Sequence, residues 1–324
     1  MKHYTFIDYA TQGYIALVAV IILLLHGDAV PHWQWLVAAH GVCLGLVHLL
    51  IHAAAARPKN RALDFFRHFY PVLLYTGFYR ETGMLNQMLH TGHLDAVFIR
   101  LDQMLFGFQP SLEFMRMAPS VWVSELFYVS YFSYYIMIGG VGLALFLRNR
   151  AQFYHYVSVV SFVFYACYLT YIFTPVIGPR IIYSGIASFE VPPEAPPAEA
   201  WVFPEAVQSG PFHQIMRVIY HYFETEGAAF PSSHVAIALV TVYFSFRYLR
   251  KIRWLHLVFA VLLCLSTVYC RYHYAVDVFA GALTAAVLLP LGNWLYWKYG
   301  ARQPASVPGS NLAPESYLSL PERD

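Results

Sequence analysis

Charge is what this chain has least of. Asp, Glu, Lys and Arg make up 12% of its 324 residues, about half of the roughly 25% usual in a soluble globular protein. That deficit excludes a solvated surface over most of the molecule, and it excludes disorder, which needs low hydrophobicity and high charge. The formal net charge of +2 provides no global field for a nucleic acid, so no nucleic-acid partner is expected. Cysteine is sparse as well. Cys43, Cys167, Cys264 and Cys270 lie far apart, in or at the edge of apolar stretches, with no CxxC or Cys/His finger spacing. They read as small packing residues, and a disulfide scaffold is excluded. Internal repeats are absent.

What fills the chain instead is apolar: 59% hydrophobic residues, with Phe, Tyr and Trp alone at 18%. A soluble fold cannot hide that much apolar surface. The composition predicts an all-α, polytopic helical membrane protein with about six to eight transmembrane helices, the bilayer being its solvent. Seven stretches are long and apolar enough to span, at 6–25, 33–56, 121–147, 151–176, 232–249, 254–268 and 274–296. No small-residue cleavage site follows the first, which reads as a retained helix. Basic residues cluster between alternate stretches, at Arg57, Lys59 and Arg61, at Arg148 and Arg150, at Arg247–Arg253, and at Lys298 and Arg302. Placing these clusters on the cytoplasmic side requires one more crossing before residue 119. Residues 63–79 are the candidate, but Asp64, Arg67 and His68 are costly in lipid, so a packed half-buried or re-entrant helix is expected there. Residues 81–119 are amphipathic and predict helices lying on the membrane surface. The Pro- and Glu-rich stretch 188–204 predicts an extended outer loop, and 301–324 a disordered inner tail. The organisation expected is an N-terminal membrane and interfacial region (1–120), a catalytic helix bundle (121–300) and that tail.

Three polar motifs fall on one side of this topology, the outer, non-cytoplasmic side of an inner or plasma membrane. The fourth stretch ends Thr174-Pro-Val-Ile-Gly-Pro-Arg180, the fifth begins Phe230-Pro-Ser-Ser-His234, and the junction of the last two reads Cys270-Arg-Tyr-His-Tyr-Ala-Val-Asp277. His273 and Asp277 are four apart and share a face if the last helix has begun there. The carboxylate then orients one imidazole nitrogen and leaves the other as a nucleophile, or the pair only satisfies two polar groups at a helix end. Ser232 or Ser233 can cap a helix behind Pro231, whose first-turn amides make an anion site beside His234. Simple capping is the plainer reading. Arg180 and Arg271 match phosphoryl oxygens as bidentate donors, or snorkel at helix ends.

Together these motifs carry a resemblance. Pro231-Ser-Ser-His234 and Arg271-x-His273-x-x-x-Asp277 resemble the second and third motifs of the type 2 phosphatidic acid phosphatase superfamily, and Pro-x-x-Gly-Pro-Arg180 resembles its first in degenerate form. The resemblance covers roughly residues 151–296. It implies His273 as a nucleophile that forms a phosphohistidine, Asp277 as its orienting partner, His234 as general acid, and Arg180, Ser232, Ser233 and Arg271 as phosphate ligands. The chain departs from the common pattern. Phe173 stands where the usual Lys would be, Ser233 where Gly is common, and Arg271 lies two residues before the His where six is usual. The compact form is similar to the inositol phosphorylceramide synthase branch, and more loosely to sphingomyelin synthases, as is Leu101-Asp-Gln-Met-Leu-Phe-Gly107.

The chemistry implied is phosphoryl transfer by positioning and electrostatics, with a phospholipid or lipid phosphate as substrate, the bilayer as surroundings, and neither cofactor nor metal. Hydrolysis and headgroup transfer use the same residues and stay open. Glu125, one turn into the third stretch, can bind a polyol headgroup or pair with an Arg such as Arg271, and Asp102 is a further headgroup candidate. A different class is represented by His40, His48, His52 and His155, intramembrane histidines able to ligate haem or metal. A non-catalytic haem or metal protein, or a lipid transporter, is therefore the alternative.

Overall fold

The computed structural model describes residues 3–89, 92–184, 193 and 195–300. The tail expected at 301–324, and residues 188–192 and 194 of the loop expected at 188–204, lie outside these residues. Every element is helical: α1 (Phe6–Leu25), α2 (Trp33–Ala56), α3 (Arg61–Leu85), α4 (Asp95–Phe106), α5 (Pro110–Met117), α6 (Val121–Arg148), α7 (Arg150–Phe173), α8 (Pro179–Ile182), α9 (Glu205–Gln208), α10 (Pro211–Phe223), α11 (Ser233–Tyr248), α12 (Arg253–Tyr269) and α13 (Ala275–Leu295). The all-α polytopic membrane architecture is as the composition demands.

Helix α7 is the axis of the bundle. It carries apolar side chains nearly all round, as suits a helix surrounded by other protein or by lipid. It packs against α1, α3, α6, α11 and α13 and buries Val157, Val160, Phe164, Tyr168 and Tyr171. Among the described residues, five helices have the length and hydropathy to cross a membrane: α1, α2, α6, α7, and α13 with the turn after it. Seven stretches were expected to span. The remaining two, α11 and α12, have 16 and 17 residues, about 24–26 Å at 1.5 Å per residue against a hydrocarbon core of about 30 Å. Most of α11 is buried, so protein more than lipid is its solvent.

Of the two forms expected for 63–79, the packed half-buried helix is the one found, with Arg67, His68, Tyr70 and Phe78 buried and Phe65, Phe66, Val72 and Leu73 exposed. It lies within α3, a continuous helix of 25 residues with Pro71 inside it. Partners explain how its charges are tolerated. Arg67 donates to Asp8 of α1, whose other oxygen accepts from the Tyr70 hydroxyl at 2.7 Å. Asp64 lies 3.4 Å from Arg150. These polar pairs sit at the end of the bundle remote from the three motifs.

At the motif end, α4 and α5 form a cap. The expected amphipathic helix is present, but its inner face is not purely apolar. Asp95, Phe98, Ile99 and Asp102 are buried, while Val97, Leu101, Met104 and Leu105 are exposed.

The histidines of the alternative reading are engaged in the bundle. His40 contacts the Leu36 carbonyl at 2.8 Å and Glu81 at 3.4 Å. His48 meets the Tyr4 hydroxyl at 2.6 Å, with the His52 ring 4.4 Å away. His155 lies between the Tyr248 hydroxyl and Asn293, each at 2.7 Å.

Candidate active site

The three motifs are stitched together by backbone. Ala229, just before the second motif, donates to the carbonyl of Val176 in the first at 2.8 Å. Ser232 donates to the carbonyl of Asp277 in the third at 3.2 Å. Gly178 closes the set. Its φ of +100° suits glycine alone, and a Cβ there would lie 2.7 Å from the Tyr272 carbonyl oxygen, so the first and third motifs touch only because this residue has no side chain.

The last helix begins at Ala275, later than the i, i+4 reading of His273 and Asp277 required. His273 therefore lies in the turn between α12 and α13. Asp277 still reaches it, with Oδ2 at 3.4 Å from His273 Nδ1, and the same oxygen accepts the backbone N–H of Tyr274 at 2.9 Å. Asp277 is thus both a helix cap and a neighbour of the imidazole. Burial first, and the His234 ring second, push the His273 imidazole well below its usual pKa, so its neutral form prevails. Its other nitrogen, Nε2, faces His234 Nδ1 at 3.4 Å. His234 Nε2 is held by the Tyr131 hydroxyl at 2.9 Å, and Tyr131 is in turn bonded to Tyr220.

Ser232 is the N-cap of α11, its hydroxyl accepting from the Val235 amide at 3.3 Å. The Ser233 amide donates to the Tyr171 hydroxyl at 3.2 Å. Two first-turn amides that an anion was expected to use are therefore already engaged within the protein.

Both arginines also have protein partners. Arg180, in the four-residue α8, pairs with Glu224 and lies over the Tyr220 ring at 4.9 Å. Arg271 is 1% exposed, adopts a φ of +62°, donates to the Trp201 carbonyl and sits 4.4 Å over the Phe203 ring. A left-handed arginine is uncommon and costs about 1–3 kcal/mol, so surrounding contacts hold it there. Burial lowers its guanidinium to about 10, which leaves it charged at neutral pH.

The two accessory acids act on backbone. Glu125 neither pairs with Arg271 nor stands free. Its carboxylate accepts the amides of Phe212 and His213 at 2.7 and 3.1 Å, capping α10 from α6. Asp102 accepts the amides of Ala275 and Val276, both at 3.0 Å, and so caps α13. Asp95, one face-length earlier on α4, accepts the amides of Ile177 and Gly178 at 2.9 Å each and the Tyr274 hydroxyl at 2.8 Å. Burial raises both acids, Asp102 to about 6, against the opposing pull of these donors.

Asp95, Tyr131 and Glu224 belong to this region and were not singled out from the sequence. Asp95 had a usable signal: two acids seven residues apart, on one face of an amphipathic helix. Tyr131 lay in a run of tyrosines that helix periodicity alone could not sort, and Glu224 had no signal.

A family model described as PAP2 superfamily matches residues 97–291. The match extends beyond the motif helices to include α4, α5 and α6. No curated protein and no solved structure matches the chain.

Proposed function

The chain belongs to the PAP2 superfamily, and on that premise we propose that it is an integral membrane phosphoryl-transfer enzyme acting on a lipid phosphate or phosphodiester through a phosphohistidine on His273. The observation that carries this reading is the imidazole pair, with His273 Nε2 and His234 Nδ1 facing each other at 3.4 Å. In the first step His273 Nε2 attacks phosphorus in line, the bond from phosphorus to the lipid oxygen breaks, and His234 gives its proton to that oxygen. For that step His234 enters as the imidazolium, its Nε2–H donated to the Tyr131 hydroxyl oxygen and its Nδ1–H directed toward the reacting atoms, and it is left as neutral imidazole. In the second step His234 takes a proton from water or an acceptor hydroxyl. The resulting oxygen attacks phosphorus, and His273 is released.

Arg180 and Arg271 supply positive charge for the equatorial oxygens. For that, Arg180 must exchange Glu224 for the phosphate. Ser232 and Ser233 contribute the start of α11 and its dipole. The active site lies on the non-cytoplasmic face in this reading, because the Arg247–Arg253 cluster marks the opposite ends of α11 and α12. The compact third motif favours headgroup transfer to a lipid hydroxyl, as in the inositol phosphorylceramide synthase-like branch, over simple hydrolysis.

The test is to incubate purified protein with phosphorus-labelled lipid phosphates and phosphodiesters, with and without diacylglycerol, ceramide or inositol lipid. Acid-labile, base-stable label on the wild type, absent from His273→Ala, is expected. A new labelled lipid appearing only with the acceptor identifies transfer, and free phosphate identifies hydrolysis. Neither label nor product would sink the proposal.

A further inference from the structure

A cavity of about 570 Å³ begins at Ser233 and His234 and runs away from the motif end between α3, α6 and α7. The α3 side of its wall lies outside the family-matched residues. Helices α3 and α6 both pack on α7 and stand apart from each other along the cavity. Val72 and Thr76 on one, with Tyr135 and Gly139 on the other, are exposed where they flank the gap. At the far end the gap closes. The Phe69 ring meets those of Phe146 and Phe153 at 4.8 and 5.2 Å, which gives the cavity a floor.

The lining changes character along its length. At the motif end it presents Glu224, Ser233 and His234. Below them it is rings and aliphatic groups. Two of the tyrosines there turn their hydroxyls to protein partners, Tyr75 to Ser161 at 2.6 Å and Tyr156 to the Ile138 carbonyl at 3.1 Å. Phe153 and Tyr168 both line it on α7, and their fifteen-residue separation is about 22 Å at 1.5 Å per residue. A cavity of about 570 Å³ drawn out over that length suits an extended hydrocarbon chain.

We infer that this cavity holds a single long hydrocarbon chain of the lipid whose oxygen His234 protonates, entering sideways from the bilayer between α3 and α6. The inference rests on the phosphoryl-transfer reading for the head of the ligand and on the cavity alone for its tail. A polar end at the imidazole pair and a largely apolar slot beneath it match a lipid phosphate in both parts. A second chain, where the lipid has one, remains in the bilayer.

The experiment uses two glycines on the α6 wall. A Cβ at Gly139 would meet nothing within 4 Å, and one at Gly142 would make ordinary contact with the Tyr156 ring at 3.5 Å. Gly139→Leu and Gly142→Leu therefore fill the slot without a backbone clash. Tyr134 contacts the His234 ring, and counted from it the two glycines lie about 7.5 and 12 Å along the helix. Hydrolysis or transfer is measured with monoalkyl phosphates from hexyl to hexadecyl, and with p-nitrophenyl phosphate. On the aryl phosphate both variants should match the wild type. On hexadecyl phosphate both should lose about tenfold or more in kcat/KM relative to hexyl phosphate, with Gly139→Leu turning down at the shorter chain length. Chain-length profiles parallel to the wild type would overturn the inference.

A second readout does not need turnover. Hexadecyl phosphate bearing a diazirine at the chain end should crosslink to the floor, at Phe69 or Phe153. Crosslinks confined to bilayer-facing residues such as Leu73 and Ile136 would overturn the inference. Floor crosslinks on a protein that forms no phosphoenzyme would leave the slot standing and remove the catalytic reading.

Discussion

His273 and His234 are 39 residues apart in the chain and meet through Nε2 and Nδ1 at 3.4 Å. One faces a carboxylate on its other side and the other a tyrosine hydroxyl, so the two rings are chemically unequal. That inequality separates their variants. His273→Ala should form no phosphoenzyme with any substrate. His234→Ala should retain label from an activated aryl phosphate, whose leaving group needs no proton, and be nearly inactive on a natural lipid. Asp277→Asn should be impaired on both. Label surviving on His273→Ala but lost from His234→Ala with the aryl substrate would reverse the roles.

Arg271→Lys keeps the charge and removes the planar fork. A charge-assisted hydrogen bond is worth roughly 1.5–3 kcal/mol, so activity should fall about ten- to a hundredfold with the protein still folded. Near-normal turnover, at an unchanged melting temperature, would reduce Arg271 to a partner of Trp201 and Phe203.

Glu224 occupies Arg180, and both side chains are about a quarter exposed, at 24% and 28%. Pairs of this exposure are worth up to about 1 kcal/mol. Glu224→Gln should therefore lower KM by a few-fold, with kcat little changed, because the incoming phosphate no longer competes with a carboxylate. A fall in thermal stability at constant KM would make the pair a structural tie alone.

Asp102 holds the start of α13 through two amides, and its carboxyl is raised to about 6. The charged form accepts both amides. It dominates above about pH 6 and is lost as pH falls through that value, so kcat should show an acid limb there. Stability runs the other way. A folded-state value above the ordinary 3.8 favours the protonated form on folding, and that contribution is lost as pH rises toward and through 6. Asp102→Asn should lower kcat more than it raises KM and should erase the limb. Retention of the limb in this variant would assign it to another group.

Sidedness has a direct test. In a Cys-free background, a cysteine at Ser209 should react in intact cells with an impermeant reagent, and one at Lys251 should not. Both positions are exposed, on the α9–α10 and α11–α12 connections respectively. The opposite pattern would place the histidine pair on the cytoplasmic face.

Local pattern and long-range contact divided the information in this protein unequally. The apolar runs of α1, α2, α6, α7 and α13 were legible because a bilayer span is a property of about twenty consecutive residues. The motif residues His234, His273 and Asp277 were legible because each motif is short and its capping chemistry is local. For residues 63–79 the sequence left a packed half-buried helix and a re-entrant element open, because the cost of Arg67 in lipid depends on Asp8, which lies 59 positions away. Glu125 and Asp102 stood out as headgroup candidates, yet their partners are the amides of helices 87 and 173 residues further along. A carboxylate that caps a distant helix has no signature near itself. The slot beneath His234 is still less visible in one dimension. It is the space left where α3 and α6 pack on α7 without meeting, and a gap between helices exists only once all three are in place.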